Sequence, residues 1–402
     1  MIKSYKIRLI PTPEQEQMMW DSVNASRFVW NWGLAYQMGR FENGEKHLSA
    51  YDLKKVLTQL KTQDENSWLR NISNKTLSQA VLDLGNAYGR FFTVQKKGKK
   101  FSDKSIRKAK RKNRKLSHYD MIGHPKFKKK GEARNSFYVN FEQLYFLDDS
   151  AVLEKIGKVK YQTNYQLPEV TKKGQNSTKF SNPRVSCENG KWILSFGMEC
   201  ENQALELNDF SIGVDLGVKD LAVLSTGIVF KNVNKSKRVK RLKKRLRQKQ
   251  RKVSRKYHTN GNYSKTKNVL KSEKEVERLH TKLRNIRKDY IHKTTHQIVS
   301  MLPKAIVLED LNVQGMMKNR HLARAISEQN FYEFRRQIEY KAAFYGISVI
   351  FADRFYPSSK KCSCCGAVKK DLKLKDRVYK CECGLVIGRD LNAAINLEKL
   401  AC

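Results

Sequence analysis

The chain has 402 residues, enough for two or three domains, and 40% of them are hydrophobic, so a real core can form. Its 81 Lys and Arg against 39 acidic residues give a formal net charge of +42. A compact fold with this charge repels itself, which favours a polyanionic partner. Nucleic acid fits best because Lys and Arg displace its condensed counterions, and an anionic membrane surface is the weaker alternative.

The sequence has no run of about 18 apolar residues, so it excludes a membrane-spanning protein. The N-terminal MIKSYKIRLIP has no apolar core followed by a small-residue cleavage site, which argues against a signal peptide. We therefore expect a cytoplasmic, nucleoid-associated protein without a membrane partner. In a reducing compartment, clustered cysteines indicate a metal more often than a disulfide.

The N-terminal part of the chain predicts one strand followed by a helical block. IKSYKIRLI alternates and contains Tyr and Ile, which is typical of a strand. Thr12, Pro13 and Gln15 then form a helix-start pattern with a capping residue, a first-turn proline and a capping box. From there to about residue 95 the spacing of apolar residues is helical. Residues 96–131 are dense in Lys and Arg, and we interpret them as a solvated loop or a surface ordered by phosphates.

From about residue 135 to 205 the sequence predicts short antiparallel strands separated by turns such as Asn189-Gly190. We expect the N-terminal strand to join this sheet, which makes the helical block an insertion. After residue 208, buried strands alternate with helices, which favours a mixed α/β layer. Within it, residues 231–256 are about half basic and predict a helix with a single apolar edge. Its charges indicate either phosphate contacts or a solvated face.

Three acidic residues lie at the ends of apolar segments in this very basic chain. Asp215 lies in SIGVDLG, Glu309 ends AIVLE, and Asp390 precedes a helix that begins LNAA. Carboxylates at strand ends and at a helix start can meet at one edge of a sheet, where they suit Mg²⁺, expected as two ions, for phosphodiester cleavage. Taken singly, Asp215 and Asp390 could cap a turn and a helix, and Glu309 could pair with a lysine.

Five of the eight cysteines lie within KCSCCGAVKKDLKLKDRVYKCECG. Cys362 and Cys365 have Cys-x-x-Cys spacing followed by glycine, and Cys381 and Cys383 supply a second, shorter pair. We predict that these four bind one zinc ion, which would be structural because four thiolates leave no open position. Two alternatives remain: Cys364 replaces one ligand, or the cluster binds no metal.

Several strings of this sequence resemble the transposon-encoded TnpB (OrfB) proteins. They are GVDLGVKDLAVLSTG, IVLEDLNVQGM, YPSSKKCSCCG and CGLVIGRDLNAAINLEKL, with further similarity in MIKSYKIRLIPTPEQ, SRFVWNWGLA and GHPKFKKKGEARNSFYVNF. The resemblance covers nearly the whole chain. It implies an RNA-guided DNA endonuclease of a bacterial-type insertion sequence, related to type V CRISPR effectors. Asp215, Glu309 and Asp390 would be its Mg²⁺-binding RuvC triad.

The resemblance also implies a multidomain α+β fold. Residues 1–10 and 119–205 would form a β-rich wedge domain, and residues 11–118 an inserted helical recognition domain. Residues 206–402 would form an RNase H-like, RuvC-type α/β nuclease domain with a zinc-ribbon insertion at about 357–386. The implied partners are a guide RNA from the element end, double-stranded target DNA next to a short adjacent motif, and the displaced single strand.

The sequence departs from the family pattern at two places. Cys381-Glu382-Cys383 is one residue shorter than the common Cys-x-x-Cys pair, and Gly388 replaces an acidic residue that often precedes the last catalytic Asp. Alternative functions remain open at this point. They are a guided repressor that does not cleave, an unguided zinc-containing transposase or DNA-binding protein, and a small CRISPR-associated effector.

Overall fold

The structure is a computed structural model of the chain. It divides into two compact units, Ile2–Cys200 and Glu201–Cys402. The residues it describes are 2–98, 101–164, 167, 180–203, 205–259, 266–373 and 376–401. Among the described helices, none combines the length and the apolar character needed to cross a membrane.

The first unit combines one antiparallel sheet with four α-helices. Its elements are β1 (Ile2–Ile10), α1 (Pro13–Glu42), α2 (Ala50–Leu60), α3 (Asn74–Lys96), α4 (Asp103–Arg111), β2 (Ser136–Tyr138), β3 (Tyr145–Phe146), β4 (Ser150–Leu153), β5 (Gly157–Gln162), β6 (Ser181–Glu188) and β7 (Lys191–Glu199). The strand order is β2-β6-β7-β1-β5-β4-β3. Because β1 lies between β7 and β5, all four helices are inserted between two strands of one sheet.

The start of α1 forms as its sequence predicts. The Thr12 side chain accepts a hydrogen bond from the Gln15 backbone N–H, and the Gln15 side chain accepts one from the Thr12 N–H. This capping box satisfies two amides that lack partners within the helix. Further along, α1 packs Met19 and Val23 on the sheet, and it packs Val29 and Leu34 against α2 and α3. One long helix therefore contributes to both cores of this unit.

The second unit is a mixed α/β layer. Its elements are β8 (Asn208–Leu216), β9 (Asp220–Leu224), β10 (Val229–Lys231), α5 (Lys237–Thr259), α6 (Lys267–Val299), β11 (Pro303–Glu309), α7 (Val313–Met316), α8 (Ala323–Gln329), α9 (Phe331–Tyr345), β12 (Ser348–Ala352), β13 (Val378–Lys380), β14 (Val386–Gly388) and α10 (Arg389–Glu398). The main sheet has the order β10-β9-β8-β11-β12, in which β8, β11 and β12 are parallel. The predicted mixed α/β layer is confirmed.

Helices cover both faces of this sheet. On one face, Ile212, Val214, Ile306 and Leu308 pack against α6, α8 and α9. On the other face, Val307 and Ala352 pack against Leu397 of α10. Because side chains alternate along a strand, the odd-numbered residues of β8 and β11 point toward the α10 side. The two predicted acidic residues of these strands are both odd-numbered.

Helices α5 and α6 form a hairpin with its own small core. Val239 and Leu246 of α5 are buried against Leu279 and Leu283 of α6. The apolar edge that the sequence predicts for the basic helix is therefore confirmed, and the rest of its surface is left to the charged residues.

Candidate active site

The ends of β8 and β11 bring Asp215 and Glu309 together. The strands are parallel neighbours, and Leu308 is in register with Val214, so the next residue of each strand is the acidic one. Both side chains project from the face of the sheet that carries α10. Two residues 94 positions apart in the sequence thus become neighbours through strand pairing.

Asp390 reaches the same edge from the first turn of α10. The helix lies directly on β8 at Gly213, two residues before Asp215 and on the same face. A Cβ atom at Gly213 would lie 1.9 Å from the Ala394 carbonyl oxygen and 2.5 Å from the Glu398 nitrogen. Only glycine allows this approach, because any other side chain would overlap the helix backbone. Gly213 is therefore a positioning residue that local sequence patterns did not single out.

The three carboxylates repel one another. Burial raises the pKa of Asp215 well above its usual range, and the charges of Glu309 and Asp390 raise it further, while Arg389 opposes the shift. Burial also raises the pKa of Glu309, against the Ser358 hydrogen bond and Arg389. Among the described residues, none of the three carboxylates forms an ion pair with Lys or Arg. In a chain of net charge +42, such a site suits a metal cation.

One loop positions Glu309. Ser358 is buried, and its Oγ donates a hydrogen bond of 2.6 Å to Glu309 Oε1. The same loop is tied to α10 by two fully buried asparagines. Asn396 Nδ2 donates to the Ser358 and Lys361 carbonyl oxygens at 2.8 and 2.6 Å, and Asn392 Nδ2 donates to the Lys361 carbonyl oxygen at 2.7 Å. The roles of Ser358, Asn392 and Asn396 were not predicted from the sequence. The Asn-x-x-x-Asn spacing places both asparagine side chains on one face of the helix and could have indicated a shared contact.

Four cysteine sulfurs converge at the end of this loop. The Sγ atoms of Cys362, Cys365, Cys381 and Cys383 all lie within 4.8 Å of one another. Cys362 and Cys383 are 3.7 Å apart at Sγ, and Cys365 and Cys381 are 3.6 Å apart. Four thiolates at about 2.3 Å from a tetrahedral zinc ion would lie ~3.8 Å apart, so the arrangement fits zinc. Cys364 is exposed and lies outside the group.

The two cysteine turns have the same design but different lengths. In the first, the Cys362 N–H donates to Ala367 O and the Gly366 N–H donates to Cys362 O. In the second, the Cys381 N–H donates to Leu385 O and the Gly384 N–H donates to Cys381 O. Each hydrogen bond of the second turn spans one residue fewer. The short Cys-x-Cys pair is therefore accommodated by a tighter turn, and both turns end in a glycine with positive φ.

The first cysteine turn also favours the ionised form of the Cys362 sulfur. Burial raises the pKa of the Cys362 thiol, but hydrogen bonds from the backbone amides of Cys365 and Cys364, together with those from the Cys381 and Cys365 thiols, outweigh this effect and lower the pKa to about 6. Zinc binds the thiolate form, so these amides prepare the ligand. The buried Tyr379 of β13 donates a hydrogen bond of 3.1 Å from its hydroxyl to the Lys360 carbonyl oxygen, which joins the hairpin to the first turn.

Most cations of the basic helix α5 are exposed to solvent. Of its 23 residues, 13 are Lys or Arg. Three partly buried lysines bind neighbours: Lys243 pairs with Glu328, Lys249 pairs with Glu275, and Lys256 donates to Ser272. Ten are exposed and form no ion pair within the described part of the chain: Lys237, Arg238, Lys240, Arg241, Lys244, Arg245, Arg247, Arg251, Lys252 and Arg255. We call these ten the α5 cation surface, and it suits a polyanion.

A carboxylate cluster and a four-sulfur cluster, each with ligand atoms that could hold a metal ion, lie in the same unit as a cationic helix that suits nucleic acid. Three family models match separate parts of this chain. They are a helix-turn-helix domain of the OrfB/IS605 type over residues 1–46, “Probable transposase” of the same type over residues 195–320, and “Cas12f1-like, TNB domain” over residues 331–397.

Two curated proteins are similar along nearly the whole chain. “Putative RNA-guided DNA endonuclease InsQ” of Escherichia coli (strain K12) is 30% identical over 413 residues, which cover 98% of this chain and 91% of that protein. “Putative RNA-guided DNA endonuclease” of Streptomyces pristinaespiralis is 29% identical over 395 residues, which cover 98% of this chain and 88% of that protein. The chain belongs to the TnpB (OrfB) family of IS605-type elements.

The fold is also similar to that of a solved structure. The protein in a Cas12f1–sgRNA–target DNA complex aligns with a TM-score of 0.50 at 14% identity, covering 99% of this chain and 98% of that one. At this identity the similarity concerns the fold alone. It confirms the predicted multidomain α+β fold class.

Proposed function

We propose that this protein is an RNA-guided DNA endonuclease of an insertion sequence, with a RuvC-type active site formed by Asp215, Glu309 and Asp390. The observation that carries the proposal is the convergence of these three carboxylates, which form no ion pair with Lys or Arg among the described residues, at the ends of the parallel strands β8 and β11. Two relatives that are similar to this chain along nearly its whole length are named putative RNA-guided DNA endonucleases, which supports DNA as the substrate.

Mg²⁺ fits the donor set, because hard divalent cations prefer carboxylate oxygens and the three side chains repel one another without one. When bound, a pair of Mg²⁺ ions supplies an activated water and stabilises the leaving oxygen of the phosphodiester. The chain supplies the position of each ligand. Strand pairing places Asp215 beside Glu309, Ser358 orients Glu309, and the close contact at Gly213 places Asp390.

The charge of the protein supports the proposed nucleic-acid partners. A guide RNA, its duplex with the target strand and the displaced strand all carry phosphates that the α5 cation surface can contact. In such a complex, base pairing supplies the sequence specificity and the protein contacts backbone and shape. We assign residues 1–10 and 119–205 to the wedge domain, and residues 11–118 to the recognition domain.

We also propose that Cys362, Cys365, Cys381 and Cys383 hold one structural zinc ion. The sulfur separations and the two matched turns support this assignment. All four ligands come from the protein, so the ion has no open position for water and stabilises the ribbon. Through Asn392 and Asn396 the ribbon base is joined to α10, which carries Asp390.

Two experiments test the function. Sequencing the RNA that copurifies with the full chain, expressed with the DNA flanking its gene, should reveal one specific species that carries a guide.

In the second experiment, Asp215→Ala should abolish cleavage of matching DNA and retain RNA-dependent binding. Asp209→Ala is the matched control, because Asp209 lies at the opposite, exposed end of β8. DNA binding or cleavage without RNA would favour the unguided alternative, and wild-type binding without cleavage would favour the repressor.

A further inference from the structure

The loop between β12 and Ser358 carries an exposed aromatic side chain. Phe355 is 87% exposed, the highest value among the large hydrophobic side chains of the described residues. Single exposed hydrophobic residues are common on protein surfaces, so exposure alone indicates nothing. The inference about Phe355 rests on its position near Glu309 and on the contacts that anchor its loop.

Both ends of the loop lie against Glu309. Ala352, the last residue of β12, is the strand partner of Glu309. Ser358, six residues later, donates its hydrogen bond to the same side chain. Phe355 lies midway between them. Three residues span at most about 11 Å, and neighbouring strands are about 5 Å apart, so its Cα lies within roughly 16 Å of the Glu309 Cα.

Hydrogen bonds and an ion pair anchor the loop on both sides of Phe355. The Phe355 N–H donates a hydrogen bond of 2.8 Å to Asp353 Oδ1, and the Tyr356 N–H donates one of 3.0 Å to the Asp353 carbonyl oxygen. On one side, Arg354 pairs with Asp310 at 2.6 Å, next to Glu309. On the other side, the Tyr356 hydroxyl donates to the Asn396 carbonyl oxygen at 3.2 Å. Both neighbours are anchored to the protein by their side chains, and the Phe355 ring is the most exposed large hydrophobic side chain of the described residues.

We propose that Phe355 is a stacking platform for one unstacked base of the DNA strand held at Asp215, Glu309 and Asp390. Every base has a flat face, so an exposed ring binds a single strand without reading its sequence. Arg354 adds a positive charge beside the ring, and half of its side chain is exposed to a passing phosphate. At about 3.4 Å per stacked nucleotide, this upper limit of roughly 16 Å places the contacted base at most about five nucleotides from the scissile phosphate. The inference rests on the proposed function, since it names the substrate form that this site takes.

An abasic scan tests the contact. Single-turnover cleavage is measured for the RNA complexes of the wild-type protein and of Phe355→Ala, on DNA with one abasic site at each of about five positions on either side of the cut. Phe355→Ala should lower the single-turnover cleavage rate, at concentrations of the complex below saturation, about tenfold or more on intact DNA, as loss of one stacked base does. On DNA that is abasic at the stacked position, the two proteins should cleave alike. An equal loss on intact and abasic DNA, or no loss, would overturn the proposal.

Two further variants separate stacking from folding. Phe355→Trp should restore cleavage, because a larger ring still stacks. Phe210→Ala makes the same change at the opposite end of β8, where the side chain is 37% exposed, and should leave cleavage unchanged. Restoration by Phe355→Leu to the level of Phe355→Trp would contradict stacking and indicate simple packing.

A fluorescence measurement keeps this proposal distinct from the proposed function. In the Asp215→Ala background, 2-aminopurine placed at the scanned positions should be quenched at one position and recover when Phe355 is also replaced by alanine. Cleavage by Asp215→Ala would refute the assigned triad and leave the stacking result standing. Absence of any quenching dependent on Phe355 would refute stacking even if the triad is correct.

Discussion

Ser358 donates a hydrogen bond of 2.6 Å from its Oγ to Oε1 of Glu309, 49 residues earlier in the chain. The serine lies between β12 and the first cysteine turn, and its own carbonyl oxygen accepts a hydrogen bond from Asn396 of α10. Ser358 therefore contacts Glu309 of the candidate site and Asn396 of α10, the helix that carries Asp390. It also lies four residues before Cys362, where the first cysteine turn begins.

Ser358→Ala should slow cleavage without abolishing it. The variant removes the donor that orients Glu309, and loss of such a supporting contact typically costs about 10- to 100-fold in activity or metal affinity. Single-turnover rates across a range of Mg²⁺ concentrations measure both effects. Ser348→Ala, at the exposed start of β12, is the matched control and should behave as wild type. A Ser358→Ala rate equal to wild type at all Mg²⁺ concentrations would contradict the positioning role.

Gly213→Ala should destabilise the second unit and impair cleavage. The new methyl group would overlap the backbone of α10 at Ala394, and backbone cannot rotate away as a side chain can. Such overpacking costs about 1–3 kcal/mol, occasionally more, and displaces Asp390 with its helix. Thermal unfolding of the full chain and cleavage of target DNA are the measurements.

Gly89→Ala is the control for Gly213→Ala, because the same methyl group is added where there is space for it. Gly89 is an exposed residue of α3 with nothing within 4 Å of a new Cβ atom. The substitution should stabilise its helix by roughly 0.5–1 kcal/mol. Equal melting temperatures for the two variants would show that α10 does not depend on the close contact at Gly213.

Zinc content should distinguish Cys364 from its neighbour. Cys365→Ser removes one of the four convergent sulfurs and should lower the bound zinc well below one ion per chain. Cys364→Ser changes an exposed residue outside the group and should retain the ion. Metal analysis of the purified proteins, with and without a chelator wash, measures this. Zinc loss in Cys364→Ser with retention in Cys365→Ser would reverse the ligand assignment.

Neutralising the α5 cation surface should weaken RNA binding in a salt-dependent way. Replacing Lys244, Arg247 and Arg251 by Gln removes three exposed charges that lack a carboxylate partner in the described part of the chain. The slope of log affinity against log salt should then fall by about 2, because each lost contact with single-stranded phosphate contributes about 0.7. Lys249→Gln is the control, since Lys249 is paired with Glu275. An unchanged slope in the triple variant would place the RNA elsewhere.

Local patterns predicted the elements well because local forces form them. The capping box at Thr12, the apolar edge of α5 and the alternating strands of the first unit depend on neighbouring residues, and the structure forms all of them. The cysteine spacing likewise singled out the four residues whose sulfurs converge, because a turn brings close residues together. The shorter second pair departs from the family pattern, and its hydrogen bonds show the tighter turn that accommodates it.

The sequence by itself determined the family and the residue types of both clusters, and its charge predicted a polyanionic partner, since charge, spacing and strand ends are all properties of nearby residues. The tertiary structure decided how the carboxylates come together and how they are connected to the cysteine cluster. Parallel pairing of β8 with β11 makes Asp215 and Glu309 neighbours, the contact at Gly213 places Asp390, and Ser358 and Asn396 connect this site to the ribbon. These contacts link residues tens to hundreds of positions apart. Their geometry depends on how whole elements pack, which no local pattern encodes.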